Sequence, residues 1–270
     1  MIISASRRTD IPAFFGEWFI NCIKAGFVYV RNPIFTNKVT NVSLKKDDVT
    51  AIVFWTKDAT NFLPFQKELM DMEYKHYFQY TITPYKKDIE PNINDKNKII
   101  NSFIELSNRI GKEYVILRYD PIFLNEQYDI NYHIRAFEKT CELLSIFTNK
   151  IIVSILDSTK FIKKNYKEML ENNEIIIELL LPQLCNIAKD YGVKIESCAE
   201  ELNNIGIPHT KCIDNELISK LTNQNIKYNK DKSQRKLCNC VDSIDIGEYN
   251  TCKNGCIYCY ANKRSFLCGF

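Results

Sequence analysis

The chain has 270 residues, and its 36 Lys and Arg against 33 Asp and Glu leave a formal charge of +3 with three histidines. At 45% hydrophobic and 12% aromatic it has ample material for a full core, which excludes a disordered or fibrous protein. The small net charge does not by itself imply a nucleic-acid or acidic-surface partner.

The first ten residues, MIISASRRTD, lack the apolar core of a secretory signal, and the most apolar stretch, 175–181, is interrupted by Glu178 and stopped by Pro182. Neither a signal nor a membrane span is therefore expected. Eleven cysteines are an odd count for a chain of this length. They suit a reducing compartment where thiols bind metal rather than pair, so the expected location is the cytosol.

In chain order, β-branched and aromatic runs alternate with stretches of helical period. Ile2–Ser6 is the first strand candidate, followed by a helix over Phe14–Lys24. Phe27–Val30 and Val39–Leu44 break the rhythm as a hairpin around Asn32-Pro33. Strands at Ala51–Thr56, Tyr77–Thr83, Tyr114–Asp120, Ile151–Leu156 and Val193–Ser197 then alternate with helices at Asn61–Met72, Asp95–Ile110, Ile130–Phe147 and Leu179–Tyr191. This is the pattern of βα units around a parallel sheet, an α/β fold. Residues 1–197 form the expected (β/α) barrel core, and 198–270 a cysteine-rich segment that packs on it and completes it as one structural domain.

Parallel α/β folds bind and react at the carboxyl ends of their strands. Here those ends are polar: Ser6-Arg7-Arg8-Thr9-Asp10, Thr56-Lys57-Asp58, Thr81 and Thr83, Arg118 with Asp120, Asp157, and Glu196-Ser197-Cys198. Arg7, Arg8, Lys57, Arg118 and Asp120 are the expected lining of a substrate mouth. Basic groups there point to an anionic substrate, a nucleotide or a nucleic acid.

Six cysteines lie between Cys238 and Cys268. Cys252, Cys256 and Cys259 make C-x3-C-x2-C, a spacing that lets three thiolates of one compact loop reach one metal centre. A closed [4Fe–4S] cluster takes four thiolates, so three leave one iron free for an exogenous ligand. A four-thiolate zinc site from Cys238, Cys240, Cys256 and Cys259 is the alternative, in which Cys252 has no task. His76, His133 and His209 are isolated and read as structural or surface residues. Cys22, Cys141 and Cys185 sit on apolar helix faces and read as core. There is no phosphate loop, nucleophile elbow or glycine-rich dinucleotide turn.

The loop CKNGCIYC, with an aromatic before its third cysteine, resembles the cluster loop of the radical S-adenosylmethionine (SAM) superfamily. Over nearly the whole chain, SRRTDIP, VRNP, VFWTKD, RYDP, SCAE, KCID and QRKLCNC…DIGEYNTCKNGCIYCYAN resemble a bacterial family catalogued as domain of unknown function 1848. The resemblance implies a radical SAM-like enzyme with its cluster at the C-terminus. The three thiolates then bind a [4Fe–4S] cluster whose open iron chelates SAM, and an electron, from a reductant protein such as flavodoxin or ferredoxin, cleaves SAM to a radical that abstracts hydrogen from a substrate. Tyr258 matches the aromatic position against adenine. The family also carries Cys198, Cys212, Cys238 and Cys240, which implies a second, fully cysteine-ligated cluster; the alternative is that Cys198 and Cys212 are small buried residues. Cys268 has no assignment.

In the ordinary superfamily arrangement the cluster loop follows the first strand, and the second strand ends in residues that hold the SAM amino group. The resemblance therefore implies a circular permutant, in which Ile244–Tyr249 supplies that first strand, Ala261–Phe266 begins its helix, and Ile2–Ser6 lies beside it. Ser6, Thr9 and Asp10 then stand where the amino-group ligands belong, Thr9 and Asp10 being the favoured pair; otherwise Asp10 serves to cap the helix near Phe14. The rival functions are an electron-transfer or scaffold iron–sulfur protein and a zinc-stabilised nucleic-acid-binding module.

Overall fold

Strand β1 (Ile2–Ala5) runs directly into the polar segment 6–10 and two short helices, α1 (Ile11–Phe14) and α2 (Gly16–Ala25). These facts come from a computed structural model, in which residues 1–156, 172–225 and 227–262 are described. The single helix expected over Phe14–Lys24 is split at Phe15, whose backbone leaves helical geometry. Asp10 begins the first piece by accepting the Ala13 N–H, and Pro12 occupies its first turn, where no intrahelical N–H is required.

The hairpin is present as β2 (Phe27–Arg31) and β3 (Val39–Ser43), an antiparallel pair in a sheet of its own. The main sheet contains β4 (Ala51–Thr56), β5 (His76–Thr81), β6 (Val115–Ile122), β7 (Lys150–Ile155), β8 (Lys194–Ser197) and β9 (Ile244–Asp245) beside β1. Its order is β8-β7-β6-β5-β4-β1-β9, and every pairing is parallel. Helices α3 (Leu63–Asp71), α4 (Lys96–Ile110), α5 (Ile130–Leu144) and α7 (Leu181–Asp190) stand between successive strands, as crossover connections of a parallel sheet require. A one-turn helix, α6 (Asn173–Ile175), and a π-helical stretch at 176–180 precede α7, so the last expected helix begins earlier and less regularly than its apolar period suggests. The short α8 (Asn215–Thr222), capped by Asp214, was not expected from the sequence. Its eight residues give too few turns for a periodic signal. Asp157 and Ala261–Phe266 beyond Asn262 lie outside the described residues.

Strand alternation divides the core between two faces. Ile3, Ala5, Ile52, Phe54, Phe78, Tyr80, Leu117, Tyr119 and Val153 pack toward the crossover helices. On the opposite face Ile2, Ala51, Val53, Tyr77, Ile116 and Ile152 meet Cys198, Cys212, Ile213, Ile218, Cys238, Cys240 and Val241 from the last third of the chain. Residues after 197 therefore cover one face of the sheet and also add a strand to its edge. Among the described residues no helix is long and apolar enough to cross a membrane.

The pairing of β9 with β1 is only two residues long, Ile3 with Ile244 and Ser4 with Asp245, shorter than the expected Ile244–Tyr249. Side-chain bonding supplements it. Asp245 accepts from Ser4 Oγ at 2.9 Å, Ser6 Oγ at 2.6 Å, the Arg7 N–H at 2.8 Å and the Gly247 N–H at 3.0 Å. Gly247 lies so close to β1 that a Cβ there would stand 2.1 Å from Ser6 Oγ, leaving no room for a side chain. Asp245→Ala should therefore cost about 3 kcal/mol or more, because it strands several buried donors at once. Chemical denaturation of the variant measures this, and a stability within 1 kcal/mol of the parent by the same measure would show that the strand pairing does not depend on the carboxylate.

Candidate functional site

The carboxyl ends of β9, β1, β4 and β5 converge on the loop that carries Cys252, Cys256 and Cys259. Gly255 turns this loop through φ +67°, with Asn92 directly beneath it. Asn92 donates to the Lys253 carbonyl at 2.9 Å, the Ile257 N–H donates to the Ile89 carbonyl at 3.1 Å, and Asn254 Nδ2 reaches Asp10 at 3.2 Å. The loop is thus tied to the segment after β5 and to the segment after β1.

Cys256 is buried, and Cys252 and Cys259 are half-buried. The three thiols are close enough to influence one another's ionisation. Burial pushes the Cys252 thiol up to about 12 and raises Cys256 and Cys259 as well. Against that, the backbone N–H groups of Asn254 and Asp10 approach the Cys252 sulfur, and those of Ala261 and Asn262 approach the Cys259 sulfur. Amides directed at cysteine sulfur stabilise thiolate, the form that binds metal and cluster iron. The donor set, three soft sulfurs with amide support, therefore fits a thiolate-ligated centre. Among the described residues, no three His, Cys, Asp or Glu side chains already enclose a position for one metal ion.

The neighbours of the loop are charged and buried. Glu90, 1% exposed, pairs with Lys57 Nζ at 2.7 Å and Lys96 Nζ at 2.9 Å, and accepts from Thr83 Oγ1 at 2.6 Å and from the Tyr258 hydroxyl. Lys57 Nζ also lies 5.6 Å from the Tyr258 ring centre. Burial works to lower the Lys57 pKa, but Glu90 outweighs it and the ammonium is held charged. Burial likewise opposes the Glu90 carboxylate, yet the two lysines hold it at about 2.

The residues expected to bind the SAM amino group stand beside this loop. Asp10 spends its carboxylate on Ala13 N, Thr56 Oγ1, Lys57 N and Asn254 Nδ2, so it both caps α1 and fixes the loop. Burial lifts its pKa to about 6 against those hydrogen bonds. Ser6 donates to Asp245 and accepts from the Arg8 N–H. Thr9 is buried, and its hydroxyl has no protein partner.

The five residues expected at a common mouth have different direct partners, although Lys57 and Asp120 remain close enough to act on each other electrostatically. Lys57 faces the three-cysteine loop. Arg8 reaches the Gly247 carbonyl at 3.4 Å and lies over Tyr249. Arg7 and Arg118 instead lie near Trp55, 5.1 and 5.4 Å from its ring centre, on the face where Cys198, Cys212, Cys238 and Cys240 gather. Arg118 pairs with Asp120 and donates to Cys212 Sγ at 2.9 Å. Ser154 bonds the other carboxylate oxygen of Asp120.

His76 and His133 are buried and bonded within the core, each held near 4 by desolvation. His209 joins Ala199 N to Asn239 Nδ2, bracing the backbone beside Cys198 and Cys238. Cys141 is fully buried, and Cys22 and Cys185 pack against the same core. Cys268 lies outside the described residues.

Asp245, Glu90, Asn92, Asn254 and Trp55 escaped the sequence reading. Asp245 and Asn254 had a local signal, their places just before and inside the cysteine loop; Glu90 lies in an irregular segment, and its partners Lys57 and Tyr258 are remote in sequence.

Because the Glu90 pKa falls on folding, its contribution to stability is full above the unfolded carboxyl value and is lost as pH drops through about 4.5 toward 2. Glu90→Gln should lower stability at pH 7 and flatten the decline between pH 5 and 2. Denaturation midpoints across that range measure it, and parallel curves for parent and variant would show that the ion pairs contribute nothing.

A family model described as "Domain of unknown function (DUF1848)" matches residues 2–261. No curated protein and no solved structure matches the chain.

Proposed function

The chain belongs to the DUF1848 family, and we propose that it is a radical SAM-type iron–sulfur enzyme built on a circularly permuted partial barrel. One observation carries the reading: the C-x3-C-x2-C loop follows a strand, β9, that pairs in parallel with β1. With β9 counted first, the strands β9, β1, β4, β5, β6, β7 and β8 stand side by side in consecutive order. That order is what a superfamily barrel would have if its first strand had moved to the far end of the chain, and it supports the reading.

Cys252, Cys256 and Cys259 would hold a [4Fe–4S] cluster, with SAM completing the fourth iron. When bound, the pair supplies one-electron reductive cleavage and hydrogen-atom abstraction. The chain's own residues perform the positioning. Asp10 and Asn254 fix the loop against β1, while Asn92 and Ile89 fix it against the segment after β5. Tyr258 is oriented by Glu90, which presents its ring beside the Lys57 ammonium. Thr9, with its unpartnered buried hydroxyl, is the available polar group for the SAM ammonium, since Asp10 and Ser6 are already bonded. The buried Lys57 provides positive charge for an anionic substrate or for the SAM carboxylate.

Anaerobic reconstitution followed by electron paramagnetic resonance, with and without SAM, tests the proposal. SAM should change the cluster signal, and reductant should yield 5′-deoxyadenosine. Replacing Cys252, Cys256 or Cys259 by Ala should abolish both effects. A signal indifferent to SAM would indicate an electron carrier or scaffold, and a colourless zinc-loaded protein would indicate the binding-module reading. A triple-Ala variant that kept all its iron and still cleaved SAM would refute the ligand assignment.

A further inference from the structure

Four cysteines from three separate parts of the chain meet on the face of the sheet away from the crossover helices. Cys198 follows β8, Cys212 precedes α8, and Cys238 and Cys240 belong to the irregular segment before β9. All four are buried, with exposures of 9, 2, 7 and 2%. None is in a disulfide. Their thiols lie together: Cys198 Sγ is 3.3 Å from Cys212 Sγ, and the Cys240 thiol neighbours those of Cys212 and Cys238. The edge of a tetrahedral zinc–thiolate shell is about 3.8 Å, from a bond of about 2.3 Å. The Cys198–Cys212 separation is thus near that of two ligands on one metal atom.

What surrounds the thiols is not what an apolar core requires. Arg118, 5% exposed, donates to Cys212 Sγ at 2.9 Å, the Ile213 N–H donates to Cys240 Sγ at 3.3 Å, and Arg235 Nη2 lies 4.0 Å from Cys198 Sγ. Arg7 is held over Trp55 with its nearest carboxylate, Asp231, 3.8 Å away, and its buried Nη2 has no partner. Guanidinium groups are costly to bury beside neutral thiols and favourable beside thiolates. Four thiolates on a metal carry net negative charge, and the basic groups around them match it in sign and position.

We propose that Cys198, Cys212, Cys238 and Cys240 are the ligands of a four-thiolate metal centre with two thiolates on one metal atom, a zinc ion or a [2Fe–2S] cluster, with Arg118 and Arg7 as its counter-ions. The centre is separate from the three-cysteine loop and does not depend on the function proposed for it. It clamps residues 198–241 to the sheet, and it assigns Arg118 and Arg7 to the metal rather than to a substrate.

The decisive material is full-length protein with Cys252, Cys256 and Cys259 replaced by Ala, which removes the loop's ligands, purified without oxygen. Iron, inorganic sulfide and zinc are counted. Either one zinc or stoichiometric iron with sulfide should remain, about two of each for a [2Fe–2S] cluster, and adding Cys198→Ser and Cys212→Ser should remove it. Folded triple variant with neither metal, or with a Cys198–Cys212 disulfide in mass spectra and no metal, would overturn the proposal. Should the five-fold variant fail to fold, Arg118→Leu gives an independent reading. Loss of a metal's outer partner costs about 10–100-fold in affinity, so a chelator should strip its metal at least about tenfold more readily, with Arg118→Lys intermediate. Unchanged metal retention in Arg118→Leu would remove the counter-ion role.

Discussion

The joint between β9 and β1 is the constraint on which the rest of the molecule depends. Residues 241 apart in sequence are joined there, and the loop-closure entropy of such a contact must be offset by the contacts it makes. Two backbone pairings are a weak return for that closure. The Asp245 carboxylate supplies the remainder, because it accepts from Ser4 of β1, from Ser6 just after it and from two backbone N–H groups. Once this joint is made, the cysteine loop is delivered to the carboxyl end of the sheet, within reach of Asp10, Lys57 and Glu90.

The same joint draws residues 198–241 across the other face, so both cysteine groups are positioned by one tertiary event. Their electrostatic settings differ. The three-cysteine loop receives backbone amides and lies beside a lysine ion-paired with Glu90. The four-cysteine group lies beside guanidinium groups, Arg118 bonded directly to sulfur. Buried thiols in an apolar setting remain protonated, so the amides and cations beside these sulfurs are what favour the thiolate form.

Asp10 shows how structural and functional readings can coexist in one residue. It caps α1, as its place before Ile11-Pro12 suggests, and it also bonds Asn254 inside the cysteine loop. A helix start is thereby fixed to the candidate site. Its full complement of partners shifts the expectation of a free ligand from Asp10 to Thr9.

The sequence by itself determined the parallel α/β class, the strand positions, the hairpin and the three-cysteine loop. These features have local causes: β-branched runs, helical spacing, a turn at Asn32-Pro33, and a short cysteine spacing that stays within one loop. The pairing of the first strand with the strand before the cysteine loop was also legible, as what the loop's resemblance implies. Only the tertiary structure decided that Arg7 and Arg118 face thiols, that Glu90 is the buried partner of Lys57, and that Asp245 fastens β9. Each is a contact between groups distant in the chain, fixed by the order of strands and by the face on which a residue falls. A strand's alternation separates two faces but does not say which will be covered by helices and which by the final third of the chain.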